Sequence, residues 1–209
     1  DKWGINSHYY MLVPHYSDGD GVYRGVPETE MKVKYPKTFD WLMYFHDLLL
    51  ETRIRSGKFF DAAQYPFYRL DNVGPYTFLP YHVVWREQNK AMVACVISSI
   101  DTPVLGTKLV VTDSKVLYCS FSDQQEAHYL CAVINSPIIT KIIEAYTIDT
   151  QRGVDILNNI KIPKFEAGNE LHNALASLSL LAHHAKIKGH NTSLLEKKID
   201  VLVERLFAC

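Results

Sequence analysis

Asp101 and the triplet Asp113-Ser114-Lys115 are the residues whose types and spacing come closest to a catalytic set. A Mg²⁺-dependent nuclease needs one acid, then a second acid two positions before a lysine that sits near the attacking water. A two-residue spacing puts that second acid and the lysine on the same side of a strand. A strand-like run, Leu109-Val110-Val111, precedes the pair. Asp-Ser-Lys between two β-rich runs is also the composition of a plain turn. The turn is therefore the first reading, and a nuclease using Asp101, Asp113 and Lys115 is the alternative.

Other chemistry finds less support. His183 and His184 are adjacent, and neighbouring helical residues point about 100° apart, so they do not converge on one ion. No Cys-x-x-Cys or His-x-x-x-His spacing occurs, and no metal site is expected. No Gly-x-Ser-x-Gly elbow and no phosphate-binding glycine loop is present. No catalytic residue is assigned. Cys95, Cys119 and Cys131 lie in apolar runs, as reduced core thiols of a cytoplasmic protein would.

The 209 residues carry a formal net charge of -1, which gives no overall basic signal for nucleic acid. Locally the balance differs. Between residues 32 and 58, Lys32, Lys34, Lys37, Arg53, Arg55 and Lys58 face Asp40, Asp47 and Glu51, leaving +3. Aromatic side chains are concentrated before Arg86, and exposed aromatics near cations can stack on bases. No apolar stretch approaches the roughly 20 residues that span a bilayer, so no membrane partner is expected.

The elements that must position these residues follow from periodicity and punctuation. Thr38 is expected to cap a helix with Trp41, Leu42, Phe45, Leu48 and Leu49 on one apolar face, and Gly57 lies past its end. Residues 65–80, with three prolines, read as an irregular loop. Tyr81–Arg86 and Ala91–Ser98 read as a hairpin; Lys108–Thr112 and Val116–Phe121 read as two further runs of an antiparallel meander. Asp123 and Glu126 have capping-box spacing for a helix to about Asn135. Pro137 opens the next helix, with Ile138, Ile139, Ile142 and Ile143 on its buried face. Ile156–Ile162 reads as a short strand. Asn169 and Thr192 cap two final helices, the second with a stripe from Leu195 to Leu206.

The expected fold is α+β: an antiparallel or mixed twisted β-sheet with flanking helices and a C-terminal helical pair. Residues 1–168 are expected to form the core domain, and 169–209 a helical hairpin packed on it or extending from it.

The second half carries a series of short motifs in order: Tyr76-Thr77-Phe78, Val83-Val84-Trp85-Arg86, Asp113-Ser114-Lys115 and Glu126-Ala127-His128-Tyr129-Leu130. Ala132-Val133-Ile134-Asn135-Ser136-Pro137, Gln151-Arg152-Gly153 and Ile160-Lys161-Ile162-Pro163-Lys164-Phe165 complete it. The series resembles the C-terminal target recognition domain of type IIG-like restriction–modification N6-adenine DNA methyltransferases. It spans about Tyr65 to Phe207, and more loosely residues 1–64.

The resemblance implies a sequence-specific double-stranded DNA recognition module that is not itself an enzyme. Its partners would be the duplex and an N-terminal methyltransferase domain of the same chain. S-adenosylmethionine would belong to that domain, with no cofactor here, because neither the methyl-donor loop nor an Asn/Asp-Pro-Pro-Tyr/Phe motif is present. A start at Asp1-Lys2-Trp3-Gly4 without methionine fits an excised fragment. The implied contacts to phosphates or bases are Arg24, Lys34, Arg53, Arg55, Lys58, Arg86 and Arg152. A protein-interaction module that docks through the Leu195–Leu206 stripe is the other alternative.

Overall fold

Val83, Val84 and Trp85 are all buried, although successive side chains of a strand point to opposite faces. In the computed structural model they lie in the central strand of a three-stranded antiparallel sheet that is covered on both sides. The structure describes residues 1–4, 9–56, 61–86, 92–112, 115–146 and 160–208. It forms two compact units: residues 9–78, and residues 1–8 together with 79–209.

In the larger unit, β3 (Tyr81–Arg86) pairs with β4 (Ala94–Ile97) on one edge and with β7 (Val116–Phe121) on the other. Val83 and Trp85 face the main core, while Val84 packs with Cys95, Ile97 and Val110 on the opposite side. β5 (Ser99–Thr102) and β6 (Gly106–Leu109) form a separate two-stranded ribbon. The expected meander is thus corrected. The 108–112 run does not pair with Val116–Phe121. Its first two residues close the ribbon, and Val110 then covers the second face of the sheet. Burial of β3 on both faces favours this arrangement, since a strand apolar on both sides must be central.

The helices of this unit match their capping signals. α4 (Gln124–Ile134) begins where the Asp123 carboxylate accepts the Glu126 N–H at 2.8 Å. α5 (Pro137–Tyr146) has proline at its first position, with Ile139 and Ile143 fully buried and Ile138 and Ile142 half-buried. α6 (Glu170–Ile187) is capped by Asn169, which accepts from the N–H of Leu171 and His172, and it is followed by Gly189 at φ +72°. α7 (Ser193–Phe207) follows Thr192, whose hydroxyl donates to Glu196 at 2.6 Å instead of capping the backbone. α4 packs on the sheet and on α6, which in turn packs on α7. The C-terminal helical pair is thereby part of this core. Ile160–Ile162 is not strand, and the rest of the expected strand from Ile156 lies outside the described residues.

In the smaller unit, β1 (His15–Tyr16) and β2 (Arg24–Gly25) make a short ladder around a turn with Gly19 and Gly21 at positive φ. Three helices follow: α1 (Glu28–Lys34), α2 (Pro36–Met43) and α3 (His46–Ser56). The core gathers Val26, Met31, Phe39, Leu42, Phe67 and Tyr68. The Tyr68 hydroxyl donates to the Val26 carbonyl at 2.7 Å, and burial pushes it up to about 12.

The single helix expected from Thr38 is corrected as well. The helix starts at Pro36, and the chain breaks at Tyr44–Phe45 before α3. The stripe is thus only partly used: Leu42 before the break and Leu49 after it reach the core, while Trp41, Phe45 and Leu48 are exposed. Among the described residues, no helix is long and apolar enough to cross a membrane.

Candidate nucleic-acid interface

Arg24 opens β2 and reaches back over the 17–21 turn. Its guanidinium forks onto Asp20, at 2.7 and 3.3 Å, and this fork holds the Asp20 carboxyl down at about 2. Lys34 lies in the last turn of α1 and pairs with Glu30 one turn earlier at 2.7 Å; Lys32 pairs with Glu28 at 3.8 Å. These acids change the electrostatics of the basic stretch. Extending the 32–58 count to residue 28 adds Glu28 and Glu30 to three acids against six bases, which lowers +3 to +1.

Arg53 lies in α3 with only 12% of its side chain exposed, 3.9 Å from Asp71. Burial lowers its pKa, with Asp71 acting in opposition. Its environment is that of a packing residue that also carries charge. The side chain of Arg55, and all of Lys58 and Arg152, lie outside the described residues. In the larger unit, Arg86 is exposed at the end of β3, beside a cleft of about 730 Å³. Lys186 also lines that cleft and pairs with Asp1 at 3.8 Å. Within the smaller unit, then, the three placed candidates are each matched by an acid, and Arg86 is the exposed candidate of the larger unit.

Motif residues from Val83 to Trp85, from 126–137 and from 160–165 occupy different ground: they build the scaffold of the larger unit. The Asn135 side chain accepts the Ala94 N–H and donates to the Ala94 carbonyl, both at 2.9 Å, which ties the end of α4 to β4. The Tyr129 hydroxyl donates to the Pro163 carbonyl at 2.8 Å, and its ring lies 5.6 Å from Phe165. His128 meets the Ser179 hydroxyl at 3.0 Å and lies against His183. Val83, Trp85, Tyr129, Ile134 and Ile160 belong to the same buried cluster.

Neither a scan of protein-family models nor a search of curated proteins returns a match to this chain.

The other sequence readings separate on geometry. Asp101 sits in β5 and accepts the Thr107 hydroxyl at 2.6 Å, while Asp113 lies outside the described residues. Among the described residues, no group of three His, Cys, Asp or Glu side chains is arranged to hold a metal. Ile199, Val203 and Leu206 of the α7 stripe are buried, and Leu195 and Leu202 pack against them. That stripe is used by the chain's own core.

Two exposed apolar features escaped the sequence reading. Trp41, Tyr44, Phe45 and Leu48 project from α2, α3 and the break between them, with Tyr44 at 86% exposure. Val104, at 83%, and Leu105 form the tip of the β5–β6 ribbon. Periodicity marked Trp41, Phe45 and Leu48 as apolar and therefore as core, and left Tyr44 off that face. The ribbon had a signal in Pro103 and Gly106 flanking the tip, which is the composition of a turn.

Proposed function

We propose that this chain is a double-stranded DNA recognition module that serves an N6-adenine methyltransferase domain in the same polypeptide. The supporting observation is that four of the seven motifs meet in the core of the larger unit, while Tyr76-Thr77-Phe78 belongs to the smaller unit and Asp113-Ser114 and Gln151-Arg152-Gly153 lie outside the described residues. Trp85, Tyr129, Ile134 and Ile160 come from four separate motifs and share a single core. Asn135 and Tyr129 fix that core through bonds to Ala94 and Pro163. A set of motifs kept in order for structural reasons supports a resemblance at the level of the fold. Base reading then belongs to what the scaffold carries on its surface.

In this reading the neighbouring domain binds S-adenosylmethionine and methylates the flipped adenine, while this module holds the duplex and sets the sequence. Exposed Arg86 is a phosphate or base contact. Arg24 and Lys34 contribute by exchanging their acid partners for phosphate. The test is a module exchange between two parent enzymes, with methylated sites mapped across a genome. The site should follow the module; a site that stays with the catalytic domain overturns the reading.

A protein-docking role has an observation of its own. Trp41, Tyr44, Phe45 and Leu48 are exposed, with the Trp41 and Phe45 rings 5.1 Å apart and Asp40 and Asp47 adjacent in sequence, and exposed apolar side chains edged by charge are characteristic of a protein interface. Tyr44→Ser combined with Leu48→Ser should weaken association with the methyltransferase domain in a two-part reconstitution. Unchanged association removes this role.

A further inference from the structure

The β5–β6 ribbon belongs to no buried cluster. Its register runs Ser99 to Leu109, Ile100 to Lys108, Asp101 to Thr107 and Thr102 to Gly106. Ile100, Val104 and Leu105 are 45%, 83% and 51% exposed, and Ser99, Asp101, Thr107 and Lys108 are exposed as well. A two-stranded ribbon that buries neither face is marginal in water. Three internal bonds stiffen this one. The Thr102 hydroxyl donates to the Gly106 carbonyl at 2.7 Å and accepts the Leu105 N–H at 3.1 Å, and the Thr107 hydroxyl donates to Asp101 at 2.6 Å. Gly106, at φ +66°, closes the turn in a conformation that other residues adopt only with strain. The ribbon is therefore a stiffened arm with two aliphatic side chains at its tip and Lys108 on its flank.

We propose that this arm enters the major groove of duplex DNA, where Val104 and Leu105 contact thymine methyl groups and Lys108 contacts a phosphate. This rests on the DNA-recognition reading and names the element that reads. A two-stranded ribbon fits the major groove, which is about 12 Å wide. The thymine C5-methyl is the apolar feature exposed there, and aliphatic side chains recognise it by contact. Asp101 is exposed and would repel phosphate, but its ladder pair with Thr107 adjoins the Ile100–Lys108 pair, so it lies on the opposite face of the ribbon from Lys108.

The test uses the 209-residue chain and two mixed-sequence duplexes that differ only in having thymine or deoxyuridine, which lacks the methyl group. Binding is read by fluorescence anisotropy. The thymine duplex should bind about threefold more tightly, an effect of under one power of ten as expected for apolar contacts. Val104→Ser with Leu105→Ser should abolish that difference. Lys108→Ala should reduce the salt slope of log affinity by about 1. Unchanged thermal unfolding of the variants verifies their folding, since the ribbon lies outside the buried clusters. Duplex binding with no thymine preference, and with the Lys108 variant behaving as wild type, overturns the ribbon's role and leaves the DNA reading standing. No binding of either duplex overturns both.

Discussion

The indole N–H of Trp3 donates to the Glu196 carboxylate at 3.0 Å, joining residues 193 positions apart. Trp3 is 1% exposed, and its backbone N–H donates to the Ala94 carbonyl at 3.3 Å. Glu196 also receives the Thr192 hydroxyl, and Lys2 lies 3.6 Å from its other oxygen. Burial pushes the Glu196 carboxyl up, but the bonds from Thr192 and Trp3 and the charge of Lys2 outweigh it and hold it below the ordinary range. Both ends of the chain are thus built into the larger unit.

Trp3→Ala removes a fully buried indole and should cost roughly 3–5 kcal/mol, measured by urea unfolding. Glu196→Gln keeps an acceptor for the indole and should cost only about 1 kcal/mol. Equal losses for the two variants would show that packing of the indole is not the larger contribution.

Asn135→Ala should cost about 1–3 kcal/mol, because it leaves the Ala94 N–H without its partner in a dry core, while the Ala94 carbonyl keeps the Trp3 backbone N–H at 3.3 Å. Thermal unfolding reads the loss. A value near zero would mean that Ala94 finds other partners, and the motif containing Asn135 would lose its structural meaning.

Two buried histidines predict acid sensitivity. The Val96 N–H donates to His183 Nε2 at 2.8 Å, so the His183 Nδ1–H donates to the Ser179 carbonyl at 2.7 Å and the ring is neutral. Burial lowers His183 to about 4, and burial together with neighbouring His183 and His184 lowers His128 to about 3. Both folded values lie below the ordinary 6.5. As pH falls below 6.5, the unfolded chain takes up protons that the folded chain refuses. Stability therefore declines from about pH 6.5 and levels off only below the folded values, with roughly 3 kcal/mol lost through His183 alone. His183→Gln should flatten part of that decline in urea midpoints measured across pH. An unchanged decline would rule out His183 as its source.

The basic candidates should divide by burial. Arg53→Ala should destabilise the smaller unit by about 1–2 kcal/mol through lost packing and its pairing with Asp71. Arg86→Ala should leave the unfolding temperature unchanged and reduce the salt slope of DNA affinity by about 1. The reverse pattern would exchange their assignments.

The fold was legible where the signals are local. Asp123, Pro137, Asn169 and Gly189 mark helix ends because caps act within one turn of chain. The β3–β4 pair was legible from two apolar runs separated by a polar connection. The pairing of β7 with β3 was not, because it depends on which strand is covered on both faces, a non-local property. The break at Tyr44–Phe45 carries no glycine or proline to announce it. Among the candidate contacts, charge was visible but its neutralisation by Asp20, Glu30 and Asp71 was not fully counted. Asp20 and Glu30 are local, four residues from Arg24 and Lys34, whereas Asp71 reaches Arg53 only through the fold. The histidines are similar: their sequence spacing excludes a metal pair, but their role as neutral bridges between β4, α4 and α6 requires the packing.

In the proposed function, this chain binds duplex DNA through a limited set of cations on a near-neutral body. The most direct measurement is its affinity for a duplex across a salt series. Each phosphate neutralised contributes about -0.9 to the slope of log affinity against log salt. Binding should show a clearly negative slope that shrinks when Arg86 and Lys108 are both replaced by alanine. Absence of binding, or binding whose strength does not change with salt, would contradict the proposed function.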